Sequence, residues 1–238
     1  MKKPIIMLAV ASIVLTATSC EKVIGEGPLQ TESRSVTNFS GVSSSIGGRI
    51  NYKIDTVYKV EITAQANILD VIETSKINGH LQVKVRNGVR IRSNEPITVN
   101  VSAPSAGYLH LSGSGDLVLT GTINTNELDM EISGTGNITV SSATVTDKIK
   151  AAISGSGNIK IMSGTSKHEE LRISGSGKIL LQDVAAETAN TTISGSGDIK
   201  VNLSQSLHAA ISGSGSVYYI GNPIISTSIS GSGRVRPL

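Results

Sequence analysis

Apolar and polar residues alternate through the second half of the chain. Leu128, Met130 and Ile132 are spaced by two, as are Ile138 and Val140; the spacing returns at Ile149, Ala151, Ile153, Ile159 and Ile161 and again at Leu171, Ile173, Ile179 and Leu181. A period of two marks strands with one buried face. Between the paired runs stands a pentapeptide, Ile/Leu-Ser-Gly-Ser/Thr-Gly, that begins at Leu111, Ile132, Ile153, Ile173, Ile193, Ile211 and Ile229. Successive copies are 21, 21, 20, 20, 18 and 18 residues apart. Each unit therefore reads as strand, tight turn, strand and a looser polar loop, such as 141–147 or 163–168.

The turn glycines are Gly113 and Gly115, Gly134 and Gly136, Gly155 and Gly157, Gly175 and Gly177, Gly195 and Gly197, Gly213 and Gly215, and Gly231 and Gly233. They account for 14 of the 25 glycines, so glycine here punctuates a period and does not mark a flexible linker. A turn stacked on its own copy leaves no room for a Cβ, and positive φ costs glycine nothing. The intervening serines are expected to form hydroxyl ladders between coils.

Two architectures produce this pattern: a stacked parallel solenoid, or an antiparallel meander with seven glycine hairpins. The outward positions favour stacking. After the second glycine they read Asp116, Asn137, Asn158, Lys178, Asp198, Ser216, Arg234, and two residues later Val118, Thr139, Lys160, Leu180, Lys200, Tyr218, Arg236. No two neighbours in either column share a charge, as rungs about 4.8 Å apart require. The expectation is an all-β, single-domain parallel β-solenoid with coils of 18–21 residues and Ser-Gly-Ser-Gly corners, wound right-handed by default.

Upstream the pattern is degraded. Ile46-Gly47-Gly48-Arg49-Ile50 and Val23-Ile24-Gly25-Glu26-Gly27 look like worn corners, 60–63, 81–85 and 97–101 read as strands, and 66–74 as one short helix with Ile68, Val71 and Ile72 inward. This divides the chain into residues 34–110 as irregular coils, 111–238 as regular coils, and 20–33 as a tether. At the far end, Arg234, Arg236 and Pro237 are expected to protect the last strand from pairing with another chain.

Residues 1–19 have a different character. Lys2 and Lys3 precede an uncharged run, and its apolar part, 5–15, falls short of the roughly 20 residues that span a bilayer. This is a secretory signal. The single cysteine, Cys20, follows the small residues Ala17, Thr18 and Ser19 and has no disulfide partner within the chain. The stretch resembles a bacterial lipobox, with Ala17 where Leu is usual, which implies acylation of Cys20 and a membrane-anchored lipoprotein; Glu21 after the cysteine resembles an outer-membrane sorting choice. Without the signal, 19 basic side chains face 18 acidic ones. No basic, aromatic-rich patch for nucleic acid is visible. Aromatics are few, with Phe39, five tyrosines and no tryptophan, so the interior is expected to be thin and aliphatic.

Candidate chemistry is sparse. The column before each corner reads His110, Glu131, Ala152, Arg172, Thr192, Ala210, Ser228, and Asp129 lies beside Glu131 on the same face. A histidine with two carboxylates can do acid/base work, although such residues commonly form a solvated sheet face. A calcium array on a β-roll needs an aspartate in every repeat, whereas this column holds Lys178 and Arg234. His80, His110, His168 and His208 lack metal-ligand spacing. Lys178 after Gly177 is followed by Ile179, where a phosphate loop needs Ser or Thr, and no Gly-x-Ser-x-Gly elbow occurs. No cofactor is expected. Tyr108 and Tyr218 are the outward aromatics that would sit against a sugar or a protein, while Tyr219 falls in an inward column.

Taken with the lipobox, the stretch 34–41 ending in Phe39-Ser40-Gly41, and repeats such as Ser154-Gly155-Ser156-Gly157-Asn158-Ile159, the chain resembles the auto-transporter adhesin family with a head GIN domain. The resemblance implies a β-superhelix related in architecture to pectin lyases and a role in cell adhesion, with no catalytic or ligand residues to carry over. The expected function is a non-catalytic surface or envelope interaction module, its partners being the membrane, through the lipid, and host or bacterial surface proteins or glycans. The alternative is a polysaccharide lyase or hydrolase, or a glycan-binding protein, on the same scaffold.

Overall fold

A computed structural model describes residues 21–238. The expected acylation site, Cys20, and the expected signal, 1–19, lie outside them. The chain forms a parallel β-solenoid of about 6 turns. Every strand pair from Tyr108–Gly113 onward is parallel, and the seven corners stack in register, with Gly113 beside Gly134, Gly134 beside Gly155, and so on to Gly213 beside Gly231. The meander is thereby excluded.

The corner is a backbone device. The Thr135 N–H donates to Gly113 O at 2.9 Å, and Ser156, Ser176, Ser196, Ser214 and Ser232 donate in turn to Gly134, Gly155, Gly175, Gly195 and Gly213, each at 2.9 Å. A Cβ on Gly134, Gly155, Gly175, Gly195, Gly213 or Gly231 would fall on the carbonyl oxygen of the glycine one coil earlier, and φ at these positions lies between 120 and 137°. The expected serine ladders are not what holds the corner. Ser114, Ser156, Ser176, Ser196, Ser214 and Ser232, which stand between the paired glycines, are exposed to solvent, and the coil-to-coil bonds are made by main chain. A ladder does form one step later, where the Asn137 amide donates to Asp116 Oδ1 and the Asn158 amide to Asn137 Oδ1, both at 2.7 Å.

Each coil contributes three stacked stretches. In Asp116–Gly134, residues 116–119 pair with 137–140, 122–125 with 142–145, and 127–134 with 148–155, with register shifts between them. The expected polar loop 141–147 is thus extended chain inside the strand Asn137–Gly155, because Ala143 and Val145 are buried and hold it against the core. Inward columns such as Leu111, Ile132, Ile153, Ile173, Ile193, Ile211 and Leu117, Ile138, Ile159, Ile179, Ile199, Val217 fill the interior with aliphatic side chains.

Of the worn corners, 46–50 is real: Gly48 O accepts from the Asp116 N–H at 2.9 Å, and Arg49–Ile54 pairs in parallel with Asp116–Gly134. The other, 23–27, is not in the stack; Gly25 lies against the Gln65 side chain and Ser93. Nor is 20–33 a tether over its described length. Glu21–Ile24 pairs in parallel with Val89–Arg92, and Leu29–Ser33 pairs antiparallel with Lys59–Gln65, which pairs antiparallel with Thr98–Ala103. Alternation at 21–24 is too brief to read as a strand, and it becomes one only through a partner 68 residues away, as in Glu21 opposite Val89. The helix is shorter than expected, Ala66–Leu69, and the chain goes over to a strand at Ile72–Ile77, leaving Ile68, Val71 and Ile72 buried as anticipated.

The far end is protected on one strand only. Arg236 donates to the Tyr218 hydroxyl at 2.9 Å in Arg234–Pro237, but Ile224–Gly231 carries no charge and exposes Ile224, Ile225 and Ile229.

Gly155→Val places a branched side chain at φ 137° against Gly134. The strained φ alone costs roughly 1–3 kcal/mol, and the clash adds to it. Thr144→Val, exposed in the same strand, should change stability by no more than about 0.5 kcal/mol. Chemical denaturation of both variants checks this, and equal midpoints would contradict a stacked corner.

Candidate functional site

The stretch before the corner presents its outward side chains in two straight columns. Register puts Tyr108, Asp129, Lys150, Glu170, Asn190, His208 and Ser226 in one, and His110, Glu131, Ala152, Arg172, Thr192, Ala210 and Ser228 in the other. The His110–Glu131 neighbourhood foreseen from spacing therefore exists. Nε2 of His110 is 3.2 Å from Asp129 Oδ1 and Nδ1 is 3.3 Å from Glu131 Oε2. Both ring nitrogens face acceptors, so only the doubly protonated ring donates to both. Arg172 stays apart from this group, two coils away.

An unforeseen part of the site comes from the N-terminal half. The strand Gly41–Ser44 lies between His80–Val85 and Tyr108–Gly113. Gly41, opposite Tyr108, has no side chain, and a Cβ there would collide with the Tyr108 carbonyl. The His80 ring reaches across this gap to stack on Tyr108, with centroids 4.0 Å apart, and Tyr108 stacks on His110 at 3.7 Å. Burial and then His110 lower the pKa of His80, while burial followed by Asp129 and Glu131 raises that of Tyr108. Lys150 closes the acidic side, 2.9 Å from Glu127, whose carboxylate raises the lysine pKa. From sequence alone, Gly41 opposite a tyrosine is visible only once the register is known.

His110 sits on an open sheet face flanked by half-exposed carboxylates, while a cleft of about 700 Å³ lies elsewhere, beside the first corner and the 89–97 segment. Both faces of Tyr108 are occupied by imidazoles. Tyr218 is likewise covered, by Arg236 at 4.9 Å and Lys200 at 5.7 Å from its ring centroid. Neither tyrosine offers a bare ring for a sugar to stack on. Tyr219 packs against the core, as its inward column implied. His168 bonds Thr188 at 2.8 Å. Among the described residues no group of three or more His, Cys, Asp or Glu is placed to hold a metal ion, and no helix is long and apolar enough to cross a membrane.

Over residues 38–223 the sequence matches the family described as "putative auto-transporter adhesin, head GIN domain". The chain belongs to this family. A crystal structure of a putative adhesin from Bacteroides fragilis is similar at 26% identity and TM-score 0.84, covering 91% of this chain and 100% of that one. Two proteins of Parabacteroides distasonis, a putative adhesin and a putative lipid binding protein, share the adhesin-family fold at 22% identity each, with TM-scores of 0.74 and 0.72; each alignment covers 92% of this chain and 100% of theirs. Comparison with curated proteins finds no match.

One buried group was missed. Glu169 points into the interior between Ile149 and Ala189, 2% exposed, with both carboxyl oxygens buried and without a hydrogen-bond partner among the described residues. Counting back by two from Leu171 and Ile173 lands on it, so the alternation already held the signal. Burial raises its pKa well above the ordinary 4.5. The folded state then binds more protons than the unfolded one between the two pKa values, so the contribution of Glu169 to stability is most favourable below about 4.5 and is lost as pH rises through the folded value. Glu169→Leu should raise Tm at neutral pH by more than at pH near 4 and flatten the profile, which thermal melts across pH would show.

Proposed function

We propose that the protein is an exported, lipid-anchored, non-catalytic interaction module of the cell surface or envelope, sorted to the outer membrane and acting in adhesion or scaffolding. The carrying observation is the long outward face of straight columns, whose chemistry-bearing residues lie on open sheet and not in a cleft. Membership of an adhesin family supports it. Candidate partners are host or bacterial surface proteins or glycans. Covered rings at Tyr108 and Tyr218 favour protein contact over sugar stacking. Anchoring rests on the lipobox ending at Cys20. Globomycin should block processing, and Cys20→Ala should move the protein out of the membrane fraction; a Cys20→Ala protein that stays fully membrane-bound would sink the anchor.

A second reading, a polysaccharide-active enzyme, is favoured by one observation, the imidazole of His110 held between Asp129 and Glu131. The two readings separate in a turnover assay on neutral and acidic glycans, run beside binding to glycan arrays and surface proteins. Saturable binding without turnover, unaffected by EDTA, is expected. Sustained turnover abolished by His110→Ala or Glu131→Ala would overturn the non-catalytic reading.

A further inference from the structure

Glu21–Ile24 and Val89–Arg92 form a parallel two-stranded ribbon of their own, separate from the 18-stranded sheet. Val23 and Ile91 pack against the core. Alternation then turns Lys22, Ile24, Arg90 and Arg92 to the other side, where all four are exposed. Register places Lys22 beside Arg90 and Ile24 beside Arg92. The one acid within the ribbon, Glu21, lies on the opposite face and is 3.8 Å from Arg86. Among the described residues, no ion pair engages Lys22, Arg90 or Arg92. Like charges side by side across a strand pair are unfavourable, and an anionic surface laid against them removes the cost.

We infer that this ribbon is the face by which the domain lies on an anionic lipid surface. The cations meet headgroup phosphates, and Ile24, 52% exposed, reaches toward the acyl boundary. The inference rests in part on the reading of Cys20 as acylated. Glu21, the next residue, is already paired in the ribbon, so no linker separates such an anchor from the cations. A chain anchored there therefore stands on this ribbon, with the regular coils carried away from it.

Both sheets and the core of the described residues are built from 21–238 without Cys20, so this portion serves as the unanchored form. This protein is cosedimented with vesicles of phosphatidylcholine alone or mixed with phosphatidylglycerol, at low and high salt. Binding is expected only on the mixed vesicles and only at low salt. Joint replacement Lys22→Gln, Arg90→Gln and Arg92→Gln should weaken it roughly 100-fold, about fivefold per cation. Joint replacement Lys160→Gln, Arg172→Gln and Lys200→Gln, which removes equal charge elsewhere, should leave it within about twofold of the parent. Thermal melts confirm that both variants fold. Equal loss in the two variants, equal binding to both vesicle types, or displacement by inorganic phosphate at matched ionic strength would each overturn the proposal. Mass spectrometry of the N-terminal peptide from cells tests the anchor separately: an unmodified Cys20 with intact vesicle binding fails the anchor and leaves the ribbon standing, while an acylated Cys20 without vesicle binding does the reverse.

Discussion

The stacking of one glycine carbonyl directly beneath the next glycine is the constraint on which the fold depends. Because no Cβ fits between Gly134 and Gly155 or between Gly155 and Gly175, the corner main chains approach closely enough for the amide of each following residue to bond the coil below. That contact sets the register of the two flanking stretches. Variation in coil length is displaced to the third stretch. The coil that contains Leu180 to Thr188 is longer than its successor, and the difference is absorbed at the register shifts between Leu180 and Ala185 and between Ala186 and Thr188, while Ile193 still meets Ile211 and Gly195 still meets Gly213.

Fixed register explains why the face is legible from sequence. Once coils stack, residues 18 to 21 apart become neighbours, and the columns through His110 and Asp116 follow by counting from corner to corner. The same counting places Glu169 inward. It fails where the chain leaves the repeat. Nothing local announces that Glu21–Ile24 pairs with Val89–Arg92 or that Lys59–Gln65 runs antiparallel between two strands, because those partners are set by tertiary contact over long separations. The His80–Tyr108–His110 stack depends on just such a partner, the strand bearing Gly41, and so only its His110 half was readable.

The two halves of the described solenoid are built on different principles. The N-terminal part carries antiparallel strands, a short helix and a basic ribbon, whereas in Ile224–Gly231 the inward Ile225 and Ile229 are left uncovered. Between them the outward face is polar and of mixed charge, with its aromatic rings already engaged by neighbours. On a surface of this kind the pattern of charges and hydrogen-bonding groups offers more for specific contact than apolar burial does.

Because each regular coil touches mainly the one before and the one after, the number of coils is not fixed by the rest of the molecule. A duplication of 18–21 residues, taken from one corner to the next, would restore every contact it interrupts and lengthen the stack by one strand spacing, about 4.8 Å. Reach is therefore a quantity that unequal recombination can adjust in small, equal increments, with the finished end at one side and the column chemistry along the face left as they were.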